Sequence, residues 1–127
     1  MSLTNAFETS TLQYLFTTGS VTRPTAWYLG LFTSDPTETG SAGTEVSGGG
    51  YVRKAVTFTV SGNLATNSAA IEWSAATSSW GTVTHIAVLD ASSSGNMIAS
   101  NALTTAKAVA TDDIIRVPAG DLDITLD

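Results

Sequence analysis

The stretch EVSGGGYVRKAVTF, Glu45–Phe58, decides how this chain is read. Three consecutive glycines run into an alternating apolar segment that carries two of the chain's five basic residues. A phosphate-cradling loop follows a strand and opens a helix, whose first amides hold the anion. Gly48-Gly49-Gly50 opens a strand instead, and no Gly-Lys-Ser/Thr follows. The glycines are therefore read as a hinge. They supply positive φ angles and close backbone approach where a long loop enters a β-sheet.

Working outward, Tyr51–Val60 places Val52, Val56, Phe58 and Val60 on one face of a strand. TAWYLGLF (25–32) is apolar on both faces and reads as a central strand. Between them, residues 33–50 form a polar loop too long for a plain connection. SAAIEWS (68–74), GTVTHIAVLD (81–90), NMIASNAL (96–103), IIRV (114–117) and LDITLD (122–127) follow as strands, with SGNLATN (61–67) as a turn and DASSSGN (90–96) as a hairpin loop. One helix is expected, over residues 3–18. Leu3, Phe7, Tyr14 and Leu15 lie near one stripe with Leu12 and Phe16 beside it, Ser2 or Thr4 is placed to cap the start, and Gly19 to stop the end. Short strands without helical crossovers predict a mostly-β fold: an antiparallel β-sandwich of jelly-roll or Greek-key kind with one N-terminal α-helix, in a single domain over 1–127.

Composition narrows the function. Charged residues make up 13% of the chain, about half the usual share. Net charge is −6 and the basic residues are scattered, which argues against nucleic acid as a partner. No cysteine is present, so disulfides, thiolate catalysis and zinc-thiolate sites fall away. No apolar run approaches the length of a membrane helix, and the N-terminus has no secretory signal pattern.

Chemistry-bearing motifs are few. His85, the single histidine, sits in an apolar strand without a nucleophile or orienting group fixed by the sequence, so it reads as structural. Eleven acidic residues include no recognisable catalytic pair, and Asp112-Asp113 and Asp121/Asp123 lack calcium-loop spacing. No enzyme activity, cofactor or metal is expected. Trp27 reads as core. Trp73 and Trp80 flank a loop, where each serves as a lid over the sandwich, a sugar-stacking platform or an interface anchor.

Five stretches in order, WYLGLFTSDPTETG, TEVSGGGYVRKAVTF, WGTVTHIAVLDASSSGNMI, ALTTAKAV and PAGDLDITLD, resemble a family of small tailed-phage virion proteins often labelled phage tail fibre protein. The resemblance covers Trp27 to Asp127 and implies a structural role in the virion, with no active-site residues. Small size and β content favour a capsid decoration or cement protein bridging capsomers. The alternative is a tail-associated or fibre-knob protein that binds a host receptor. Expected partners are the major capsid protein or tail proteins of the same virion, and further copies of the chain in a trimer. The expected interface residues are Phe7, Tyr14 and Phe16 on the helix, Asp35 and Glu45 in the long loop, then Tyr51, Arg53, Lys54, Trp73 and Trp80. Arg53 and Lys54 are expected to meet carboxylates of a neighbouring subunit, so that Arg53→Glu weakens assembly and leaves the fold intact.

Overall fold

A computed structural model describes residues 1–126. Asp127, expected to end the last strand, lies outside them. The elements run β1 (Ser2–Leu3), α1 (Asn5–Phe16), β2 (Tyr28–Phe32), β3 (Lys54–Ala55), β4 (Phe58–Ser61), β5 (Leu64–Asn67), β6 (Ile71–Glu72), β7 (Gly81–Leu89), β8 (Met97–Val109), β9 (Arg116–Val117) and β10 (Asp123–Thr125). All strand pairs are antiparallel. The fold is mostly β with a single short helix, as the sequence predicts.

The strands form three sheets, with orders β1-β8-β7-β2-β3, β10-β5-β4 and β6-β9. The centre of the large sheet is apolar on both faces, as TAWYLGLF suggested. Leu29, Leu31, Val83, Ile86 and Val88 join Ile71, Trp73, Trp80, Val109 and Leu122 in the main core. Phe32, Ala87, Leu89 and Met97 form a smaller cluster. Burying a side chain of this kind stabilises the fold by about 1.5–3 kcal/mol.

Three expectations are corrected. The strand predicted over 51–60 is two strands in two sheets. Lys54–Ala55 pairs with β2, and Phe58–Ser61 pairs with β5. Val56 is buried between them, whereas Val52 and Val60 are 57% and 76% exposed, so the alternation does not mark one inward face. The predicted turn at 61–67 contains β5, and β8 runs six residues beyond the predicted end at Leu103.

The helix is shorter than 3–18 at both ends, and residues 2–3 pair with β8 instead. Thr4 occupies the N-cap position, but its hydroxyl donates to Met97 O (2.7 Å) and does not cap. The Asn5 amide instead donates to Glu38 O in the long loop (2.9 Å). At the other end, Thr17 closes the helix: its amide and hydroxyl both donate to Gln13 O. Gly19 is not the stop.

The long loop is ordered by its own hydrogen bonds, which accounts for its length. Thr33 N donates to Thr44 O, Ala42 N to Pro36 O, and Val46 N to Leu31 O. Gly48, Gly49 and Gly50 all have positive φ (75°, 60° and 77°), the hinge conformation read from the sequence. A Cβ at Gly49 would lie 2.7 Å from the Trp80 ring.

Candidate functional site

The hinge reverses the chain so that Glu45 and Arg53 meet. The Arg53 fork donates to both carboxylate oxygens, Nε to Oε1 and Nη2 to Oε2, each at 2.8 Å. Tyr51 OH donates to the same Oε1 at 2.8 Å and accepts the Leu31 amide at 3.0 Å. The remaining guanidinium nitrogen, Nη1, donates to Ala91 O (2.9 Å) and Ser94 O (2.8 Å) in the β7–β8 hairpin loop. Arg53 thus ties the long loop to the hairpin, and Tyr51 links the same carboxylate to β2. Its side chain is 9% exposed and that of Glu45 is 25% exposed. A bidentate, partly desolvated pair of this kind is among the strong hydrogen-bonded contacts.

Electrostatics follow from this geometry. Burial pushes the Glu45 carboxyl up, but the Arg53 and Tyr51 hydrogen bonds and the Arg53 charge outweigh it, and Glu45 lies below its ordinary value. Burial, together with the adjacent carboxylate, pushes the Tyr51 hydroxyl well above its ordinary range. Tyr51 is therefore a hydrogen-bond donor and not a titrating base.

Arg53 was expected to meet a carboxylate of a neighbouring subunit. Within this chain its carboxylate partner is Glu45, and Nη1 donates to Ala91 O and Ser94 O. Lys54 sits on the edge strand β3, opposite Leu29, where a lysine discourages unwanted strand pairing. The tryptophans are also internal. Trp73 is 1% exposed and donates from Nε1 to Val52 O (2.8 Å). Trp80 is 5% exposed, donates to Gly49 O (2.9 Å), and meets Tyr51 edge-on with centroids 5.5 Å apart. Neither is placed to stack on a sugar. Asp35 is exposed and accepts the Thr37 amide. It lies 3.8 Å from His85 Nε2, while His85 Nδ1 contacts Thr84 Oγ1 at 2.8 Å. That carboxylate is too distant to orient the imidazole in the manner of a catalytic triad.

The helix presents the opposite case. Phe7 is half-buried and packs against the core, yet no residue of α1 is buried. Leu12, Leu15 and Phe16, at spacings of three and four, share one outward stripe and are 59%, 60% and 77% exposed. Tyr14 is 75% exposed on the other side, toward the segment 20–24. The helix carries one charged residue, Glu8. Leu12 and Leu15 were visible as helix apolars but were not among the expected interface residues. Burial, which the sequence does not print, is what singles them out.

The segment 20–24, helix α1 and the hairpin loop enclose a surface groove of about 340 Å³ that includes Arg23, Asp90 and Asn96. Of these three, Arg23 was not singled out in the sequence as part of a site.

No curated protein matches this chain. A family model described as Gp80, podophage GP4 fiber I protein gp80, matches residues 2–125, a span that includes the helix, the hinge, the Arg53 clamp and every strand. The resemblance to tailed-phage proteins of fibre type therefore holds over nearly the whole chain, which belongs to the podophage GP4 fiber I protein gp80 family of virion-associated structural proteins.

Proposed function

We propose that this protein is a structural subunit of a phage tail fibre assembly, joined to further copies of itself through the outward face of α1. The observation that carries the reading is the exposed Leu12–Leu15–Phe16 stripe on a chain of the fibre family. These three side chains leave apolar surface on the order of 300 Å², in the range where a patch on a lone protein is often functional. That is below the roughly 800 Å² per partner of a standard interface. Each copy must add flanking surface, as in a closed ring where every subunit touches two neighbours. The stripe itself carries no charge, so identical chains of net charge −6 can approach there without facing like charges. The buried cores and internal hydrogen bonds around Trp73, Trp80 and Arg53 support a rigid building block.

A second reading is capsid decoration, in which many copies bridge capsomers by repeated modest contacts. A low content of charged residues supports it, since neutral surfaces cost less to desolvate. Copy number separates the two. Quantitative mass spectrometry of purified particles should give a small fixed number matching a set of fibres. A ratio near one to the major capsid protein would favour decoration, and absence from particles would overturn both. For the helix contact, Leu12→Asp with Phe16→Asp should leave the melting temperature within about 2 °C. The same pair should reduce the mass in light scattering to that of one chain. An oligomer that survives both changes would place the contact elsewhere.

A further inference from the structure

We propose that the groove between α1 and the segment 20–24 binds a neutral saccharide. One wall is the helix side bearing Phe7, Ser10 and Gln13, and the other is Val21–Pro24. The hairpin residues Asp90 and Asn96 close one end. Past Tyr14 the groove widens into an adjoining recess of about 510 Å³, whose lining is mainly apolar. Both volumes lie in the range of small-ligand sites.

The lining has the chemistry that polyhydroxylated rings require. Tyr14 leaves three quarters of its surface open, giving an apolar ring face beside a hydroxyl. Among the described residues, the side chains of Ser10, Gln13, Thr22 and Arg23 make no hydrogen bond within the chain. They line one concavity and supply donors and acceptors together. Asp90 is held in place: Oδ1 accepts the Asn96 amide (2.7 Å) and Oδ2 accepts Asn96 Nδ2 (3.1 Å), which leaves a lone pair on each oxygen for a ligand hydroxyl. Arg53 fixes the same loop through Ala91 O and Ser94 O. That end of the groove is thus set by the fold before any ligand arrives, which lowers the ordering cost of binding.

Charge selects the ligand class. Arg23 contributes one positive charge and Asp90 one negative charge, so the lining is balanced. The whole chain is acidic, which disfavours a polyanion such as nucleic acid or a uronate polymer. A neutral ring with many hydroxyls matches both the balance and the mixed donor–acceptor lining. Its use as a contact with a host surface rests on the fibre reading, whereas the binding chemistry does not.

The test is a two-dimensional amide NMR titration of the full chain. The probes are neutral oligosaccharides released from the host's cell envelope, neutral oligosaccharides from any polysaccharide it secretes, and oligogalacturonate as the charged comparison. Saturable shifts confined to residues 6–24 and 90–96 are expected with one or both neutral sets, and the responding set identifies the source. Tyr14→Ala and Arg23→Ala should each weaken binding at least tenfold with unchanged melting temperature, and Lys107→Ala should have no effect. No saturable shift with either neutral set, shifts elsewhere, response to oligogalacturonate alone, or full binding by Tyr14→Ala would each overturn the proposal. A chain that binds sugar but lies outside the fibres in particles would refute the fibre reading alone. A fibre subunit that binds no sugar would refute the groove alone.

Discussion

Arg53→Ala should destabilise the isolated chain by about 3 kcal/mol. The change removes four hydrogen bonds: two to Glu45 and one each to Ala91 O and Ser94 O. It also leaves the Glu45 carboxylate, three quarters buried, with Tyr51 as its one remaining side-chain donor. Removing one partner of a fully buried pair costs about 3–5 kcal/mol, much of it the unpaired charge left behind. Water can reach part of Glu45, which sets the expectation at the lower end of that range. Against a total stability of about 5–15 kcal/mol, this is a large loss. Equilibrium unfolding in urea, followed by tryptophan fluorescence, should show a midpoint lower by about 1.5 M at a slope near 2 kcal/mol/M. Arg53→Lys should fall between the two, because an ammonium cannot reproduce the fork to Glu45 and still reach the hairpin. In a double-mutant cycle, Arg53→Met with Glu45→Leu should cost less than the sum of the single changes. A loss below about 0.5 kcal/mol for Arg53→Ala, or strict additivity in the cycle, would refute the clamp. Loss of assembly with an intact fold would return Arg53 to the subunit interface.

Three further outcomes follow from the same geometry. Glu45 titrates lower in the folded chain than its ordinary 4.5, so its contribution is complete above about pH 4.5 and disappears as pH falls through the folded value. The stability gap between wild type and Glu45→Gln should therefore shrink from pH 5 to pH 2.5 in urea titrations, and a constant gap would contradict the pairing. Asn67 is 1% exposed and both its side-chain polar atoms are engaged: Nδ2 donates to Ala69 O and Pro118 O, and Oδ1 accepts the Leu122 amide. Asn67→Ala should cost about 2–4 kcal/mol by calorimetry and should raise hydrogen exchange at the Leu122 amide first. Gly30→Ala should cost about 1–3 kcal/mol, because the added carbon would lie 3.0 Å from Leu89, 3.2 Å from Glu45 Oε1 and 3.4 Å from Tyr51 OH, and the clamp cannot yield without losing its bonds; an unchanged midpoint would mean that the clamp is loose.

How much of this was legible depends on the distance over which each feature is decided. Alternation and turn residues are local, so the β class and the hairpin at Asp90–Asn96 could be read from the chain. The glycine hinge could be read too, because three consecutive glycines ahead of a strand leave few other uses. Its consequence could not. Glu45 and Arg53 stand eight residues apart, and whether they meet depends on the direction the hinge gives the chain. For the same reason the alternation from Val52 to Val60 misled: period two states which residues share a face, not whether the chain passes between sheets at Val56. Trp73 and Trp80 were ambiguous because a loop-flanking indole looks alike in sequence whether it covers a core or a ligand. The backbone carbonyls of Val52 and Gly49 decide it, and both are contributed by the quoted stretch. The helix shows the converse. Its apolar residues were plain, but they lie on more than one side, and this chain covers only the side near Phe7. A sequence specifies which surfaces are apolar without stating which molecule covers them. The core sheet and the Arg53 clamp find their contacts within the chain, whereas the uncovered Leu12–Leu15–Phe16 stripe is where a partner would lower the free energy of this chain.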